Sequence, residues 1–202
     1  MTAAMQIREY LAKIPDGQSF PSSTLRTFAS TENIRQVLGR LVKTGQIIRV
    51  TRGVFAKSKQ MPTIGEILPS TSEVADALAE STGETIIIHG AEAARQLQLT
   101  TQVPMRPVFY TSGNTRTLKL ANRTVKLKHV NPSKLVAPGT MPGLVITALD
   151  YLGRENVTKK TLKIIKQRIS PEDFKATLQL IKQMPAWMAD VFFHYQQEKK
   201  NE

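Results

Sequence analysis

The chain has 202 residues, 41% hydrophobic and 22% charged, enough for a folded core in each of two small domains. Its 28 lysines and arginines outnumber 16 acids, and the formal net charge of +12 favours a polyanionic partner such as nucleic acid over an acidic protein. With no cysteine, disulfides, thiolate catalysis and cysteine-held zinc or iron–sulfur centres are excluded.

Met1 to Tyr10 carries Arg8 and Glu9 and no apolar stretch of signal-peptide length. The longest apolar runs, around Ile86 to Ile88 and Leu144 to Leu149, are too short to span a bilayer. A cytoplasmic protein with no membrane contact is expected.

Ile7, Tyr10, Leu11 and Ile14 have helical spacing, and Pro15, Asp16 and Gly17 end that helix. A short second helix is expected from Pro21 to about Phe28, with proline in the first turn, where it costs least. From Thr31 to Thr44, Ile34, Val37, Leu38, Leu41 and Val42 fall at i, i+3, i+4, i+7 and i+8 and form one apolar stripe. The other side presents Asn33, Arg35, Gln36, Arg40 and Lys43, side chains that hydrogen-bond base edges or pair with phosphates. Ser30 or Thr31 caps the start, Glu32 complements the helix dipole, and Gly45 supplies the left-handed stop.

Ile47 to Val50 and Val54 to Ala56 then read as a hairpin turning at Thr51, Arg52 and Gly53, with Arg49 and Arg52 on it. Helix, short helix, longer helix and two-stranded wing is the element order of a winged helix-turn-helix, predicted over residues 1–60. That segment holds ten basic residues against three acids, an excess that favours DNA contact over a purely protein-docking winged helix.

A mixed α/β domain with a small sheet and C-terminal helices is predicted over 61–202. Met61, Pro62 and Pro69 mark the connection. Val74, Ala77 and Leu78 suggest a helix ended by Gly83, Thr85 to His89 a buried strand, and Gly90 to Leu97 a small-residue helix. Between Ala93 and Leu149 there is no acid. Val108 to Thr111 is a strand, and Thr117 to Leu120 with Thr124 to Val130 a hairpin turning at Ala121 to Arg123. Val125, Leu127 and His129 share one side of it and Lys126 and Lys128 the other. Arg116, Lys119, Arg123, Lys126 and Lys128 are therefore a second candidate basic surface, either a solvated strand face or a contact for RNA, DNA or an acidic protein. Helices follow at Leu144 to Leu152, around Leu162, Ile165 and Ile169, and from a Ser170-Pro171 start with Asp173 at its third position. A last one carries Trp187, Met188, Val191 and Phe192, and the tail from Gln196 is expected to fray. Trp187 reads as core, with an interface anchor as the other reading.

No enzyme is expected. His89, His129 and His194 are widely separated, none sits in a metal-ligand spacing, and no phosphate-binding glycine motif occurs. Ser112, in Thr111-Ser112-Gly113-Asn114, is more simply a turn residue than a nucleophile. No metal or other cofactor is expected.

Leu41-Val42-Lys43-Thr44-Gly45, Ile48-Arg49-Val50 and Arg52-Gly53-Val54-Phe55 resemble the N-terminal winged helix of AbiEi-type antitoxins of bacterial type IV toxin–antitoxin systems. Thr100 to Pro104, Tyr110 to Gly113, Leu127 to Val130 with Pro132, Leu149 to Gly153, and Pro185 to Asp190 look like segments of the shorter members of that family. The resemblance implies a regulator that represses its own operon by binding inverted repeats of double-stranded DNA through the winged helix, and counters a nucleotidyltransferase-like toxin without needing to bind it directly. Paired half-sites would be met by a homodimer, formed in solution or only on the DNA. Two other readings remain open: an RNA-directed protein or enzyme using the second basic surface, and a ligand-responsive repressor unconnected with a toxin.

Overall fold

The structure, a computed structural model, describes residues 2–58, 60–61, 65–66, 68–120 and 123–201. It divides into two units, residues 1–84 with 117–125, and residues 85–116 with 126–202.

In the first unit, helix α1 (Ala3–Lys13) buries Ile7 and Leu11 and stops before Pro15. The next element is a strand not expected from sequence. Ser19–Pro21 forms a strand, β1, paired antiparallel with the later strand β3 (Val54–Lys57). Pro21 is tolerated because β1 is an edge strand and its nitrogen owes the ladder nothing. The expected second helix is a 3-10 turn, Ser22–Thr27, with Leu25 fully buried and Pro21 preceding it instead of sitting in its first turn.

Helix α2 (Thr31–Lys43) buries Ile34, Leu38 and Leu41 and half-buries Val37 and Val42. Ser30 Oγ accepts the Asn33 N–H at its start. At its end Gly45, with φ of 69°, turns the chain so that the Gly45 N–H reaches Val42 O and the Gln46 N–H reaches Leu41 O. This paired closure satisfies carbonyls the helix would leave orphaned. Strand β2 (Ile47–Thr51) pairs with β3 around a bulge between Arg49 and Thr51, giving the sheet order β1-β3-β2. The hairpin expected from sequence is thus two strands of a three-stranded sheet. Phe20 and Phe55 stack across it at 6.1 Å, and Ile7, Leu25, Leu38 and Ile47 complete the core.

Strands β4 (Gln60–Met61) and β5 (Gly65–Glu66) form a separate two-stranded sheet. The expected linker residue Pro62 lies outside the described residues, as do Ala121 and Asn122 of the later turn. Helix α3 (Thr71–Thr82) opens on a reciprocal cap: Ser70 Oγ accepts the Glu73 N–H, and Glu73 Oε2 accepts the Ser70 N–H at 2.7 Å. It ends at Gly83, whose φ is 71°. Val74, Ala75, Ala77 and Leu78 are buried, and the helix packs on β1, β3 and the 3-10 turn. The boundary expected after residue 60 is therefore corrected: the apolar face of α3 completes the first unit, which runs to Glu84.

The second unit is mixed α/β. Its strands β6 (Ile86–Ile88), β7 (Val108–Thr111), β8 (Arg116–Leu120) and β9 (Arg123–His129) lie in the order β6-β7-β9-β8, with the 117–125 tip grouping with the first unit. Strand β6 runs antiparallel to β7, and β7 parallel to β9. The buried strand expected at Thr85 to His89 is half-buried, because β6 is a sheet edge. Helices α4 (Gly90–Gln96), α5 (Met141–Leu152), α6 (Lys159–Arg168), α7 (Pro171–Gln179) and α8 (Ala186–Asn201) enclose a core of Leu149, Leu162, Ile165, Met188 and Phe192. Trp187 is half-buried against it. Helix α8 runs through Asn201, so the tail is helical where fraying was expected. Among the described residues, no helix is long and apolar enough to cross a membrane.

Candidate nucleic-acid interface

An amphipathic helix that buries one stripe must present the opposite one, and on α2 that stripe is polar and cationic. Asn33, Arg35, Gln36, Arg40 and Lys43 are all exposed, as are Arg49 on β2 and Arg52 in the β2–β3 turn. All seven belong to the first unit.

Helical geometry sorts them further. Asn33, Gln36, Arg40 and Lys43 recur at i, i+3, i+7 and i+10, which places them within about 80° of arc, one per turn. Arg35 stands about 100° round the helix from Gln36. It is also engaged. Its Nε and Nη2 donate to Glu32 at 3.2 and 2.9 Å, and Gln36 Nε2 donates to the same carboxylate at 3.3 Å. Hydrogen bonds from Arg35, then from Gln36, hold the Glu32 carboxyl below the usual range, and the carboxylate in turn raises the Arg35 guanidinium. Glu32, expected as a dipole partner, is also the acceptor for two side chains, a contact that its spacing of three and four residues from Arg35 and Gln36 favours.

Gly39, absent from the residues expected to matter on this helix, is exposed in the middle of α2, and a Cβ on it would find no atom within 4 Å. A mid-helix glycine costs about 1 kcal/mol relative to alanine, and no neighbour among the described residues calls for one here. The glycine leaves the outward face of α2 bare beside the polar stripe, where another surface can approach the backbone closely.

Arg49 pairs in register with Phe55, and Arg52 precedes Gly53, whose φ of 79° makes the tight turn possible. The strand carrying Arg49 packs against α2. Among the described residues, Arg40, Lys43, Arg49 and Arg52 have no hydrogen-bonding or ion-pair partner. Lys57 differs: its Nζ donates to Ile14 O at 3.0 Å and pairs with Asp16 at 3.0 Å, tying β3 to the end of α1.

The second basic surface is divided. Lys119 and Arg123 fall in the first unit, and Arg123 lines a cavity of about 180 Å³ with β2 and the start of α3. Lys126 and Lys128 fall in the second, exposed while Val125 and Leu127 are buried, the alternation read from sequence. Arg116 donates to Asn114 O. His129, expected beside Val125 and Leu127, is exposed, and its Nδ1 lies 2.7 Å from Gly113 O. Ser112 Oγ accepts the Thr85 N–H at 3.0 Å, a structural use of the hydroxyl at the turn.

These features define a mixed α/β protein of small sheets and several helices, whose first unit exposes a polar, cationic helix face next to a basic hairpin. The chain belongs to the Family of unknown function (DUF6088), whose model matches residues 6–176. It is similar to the RV2827C protein from Mycobacterium tuberculosis, known as a crystal structure, with 17% identity and a TM-score of 0.41 over 92% of this chain and 72% of that one. No curated protein matches it.

Proposed function

We propose that the chain is a DNA-binding transcriptional regulator whose first unit acts as a winged helix-turn-helix, α2 entering the major groove and the β2–β3 hairpin lying along the backbone or minor groove. The observation that carries this reading is the stripe of Asn33, Gln36, Arg40 and Lys43, exposed one per turn on a helix whose opposite side is core. Asparagine, glutamine and arginine match base-edge patterns in the major groove, and lysine matches phosphate as a point charge. Arg35 joins them by exchanging Glu32 for a base or phosphate, and Arg49 and Arg52 take phosphates. As a repressor of its own operon the protein would read inverted repeats as a homodimer. The antitoxin role, directed against a nucleotidyltransferase-like toxin, draws on the resemblance of the Leu41 to Phe55 segment to AbiEi-type proteins.

Mobility-shift titration with the DNA upstream of the chain's own gene tests the reading. Arg40→Ala should cost about 1 to 3 kcal/mol and relax sequence preference, whereas Lys43→Ala should weaken all sequences alike and lower the salt slope by about 1. If both variants bind as the wild type does, α2 is not the reading element. Co-expression with a neighbouring nucleotidyltransferase-like gene tests the antitoxin role separately, rescue of growth being the expected result.

A further inference from the structure

The second unit carries its own combination of rings and cations. Tyr110 on β7 pairs in parallel register with Lys128 on β9, as Val108 does with Lys126, so these four side chains leave the same face of the sheet. Phe109 and Leu127 point the other way and are buried. His89, which follows β6, packs against Tyr110 with ring centroids 4.6 Å apart and planes tilted by 46°, and Tyr151 of α5 meets His89 edge-on at 5.6 Å. Tyr151 is 43% exposed.

His89 is held in place as the cap of α4, its Nδ1 accepting the Ala91 N–H at 3.1 Å. Lys134 pairs with Asp150 at 2.9 Å, which offsets the charge of an acid that acts on Tyr110. Lys126 and Lys128 have no hydrogen-bonding or ion-pair partner among the described residues. Three rings flanked by two unpaired lysines on a strand face form a stacking platform beside a phosphate track, a combination that suits unpaired bases and not a closed duplex, whose base faces are hidden.

We propose that this face of the second unit binds a single-stranded nucleic acid segment, with a base stacking on Tyr151 and the backbone running over Lys126 and Lys128. The site is independent of the duplex reading of the first unit. RNA and single-stranded DNA share the required chemistry and are separated only by the 2′-hydroxyl.

The test is fluorescence anisotropy of the full chain with labelled twelve-nucleotide oligouridine and oligodeoxyuridine, which differ only in the 2′-hydroxyl. Saturable binding of either is expected, weakened about tenfold by Tyr151→Ala and restored by Tyr151→Phe, since any π-face can stack. Lys126→Gln with Lys128→Gln should lower the salt slope by about 1.4, whereas Lys175→Gln on α7 should leave it unchanged. Tighter binding of oligouridine than of oligodeoxyuridine assigns RNA, and equal or weaker binding assigns single strands of either kind. Absence of saturable binding to both, or a Tyr151→Ala protein that binds as well as wild type, overturns the proposal. Arg40→Ala should leave these oligonucleotides bound, so the two sites fail separately.

Discussion

Gly39→Ala separates what α2 needs for folding from what it needs for a partner. A methyl group at this position meets nothing within 4 Å, so no overpacking offsets the gain in helix propensity. The full intrinsic difference of about 0.8 to 1.0 kcal/mol should therefore appear as added stability. For a cooperative unit of 60–100 residues this raises Tm by about 4 to 8 °C, and by about half that if the two units melt together. Duplex affinity should move in the opposite direction. If α2 lies in the groove with its bare backbone against the duplex, the added methyl costs about 1 kcal/mol or more, a fivefold weakening or greater. Calorimetric melting and a mobility-shift titration on the same preparation read both effects. A variant that is stabilised and binds the operator as tightly as wild type refutes close approach at Gly39.

Three further substitutions test the forces described above. Glu32→Gln removes the carboxylate that holds Arg35 and Gln36; duplex affinity should rise at low salt, with the gain disappearing as salt is added, and a variant binding more weakly at every salt concentration would show that Glu32 positions these side chains instead of restraining them. Burial first, and then Lys128, lower the His89 pKa below its usual value near 6.5, so the folded protein holds fewer protons there than the unfolded chain, and stability contributed by neutral His89 is lost as pH falls below 6.5. Urea midpoints followed by Trp187 fluorescence should drop between pH 7.5 and 5.5, and His89→Asn, which keeps an acceptor at the cap, should flatten that drop; parallel curves for the two proteins would remove His89 as the cause. Gly90→Ala should destabilise the second unit by about 1 to 3 kcal/mol, because its Cβ would strike the Tyr151 side chain and lie 2.9 Å from Thr147 O, and chemical denaturation reads this directly.

Wherever periodicity or capping chemistry acts locally, the residues announced the structure. The stripe of Ile34, Leu38 and Leu41, the stop at Gly45, the Ser170 cap and the alternation of Val125 and Leu127 with Lys126 and Lys128 all depend on neighbours within a few positions. Elements decided by partners distant in sequence stayed hidden. Three residues ending in proline carry no strand signal, and Ser19–Pro21 becomes one only because β3 offers it an edge. Helix α3 reads as the opening of a second domain until its buried valine, alanines and leucine are seen packed on β1 and β3. The aromatic cluster of His89, Tyr110 and Tyr151 joins three elements spread over 63 positions, and no local pattern connects them. Gly39 is a different case: it stood in plain view, but its meaning required knowing that nothing packs against it.

The two cationic faces differ in what else they hold, and under the two proposals that difference suits them to different partners. On α2 the cations stand among amide side chains on a rigid rod about 20 Å long, wide enough only for a major groove, with no ring exposed among them. On the second unit the cations stand beside rings on one face of a sheet of more than two strands. Hydrogen-bonding amides discriminate base edges, and rings need a base face freed from its stack. A duplex offers only the first and a single strand readily offers the second. Exchanging the chemistry at one position on each face therefore exposes the logic: Gln36→Ala should erode sequence preference in the duplex without changing oligonucleotide binding, and Tyr151→Ala should do the reverse. Loss of both activities from either substitution would mean that a single surface serves both.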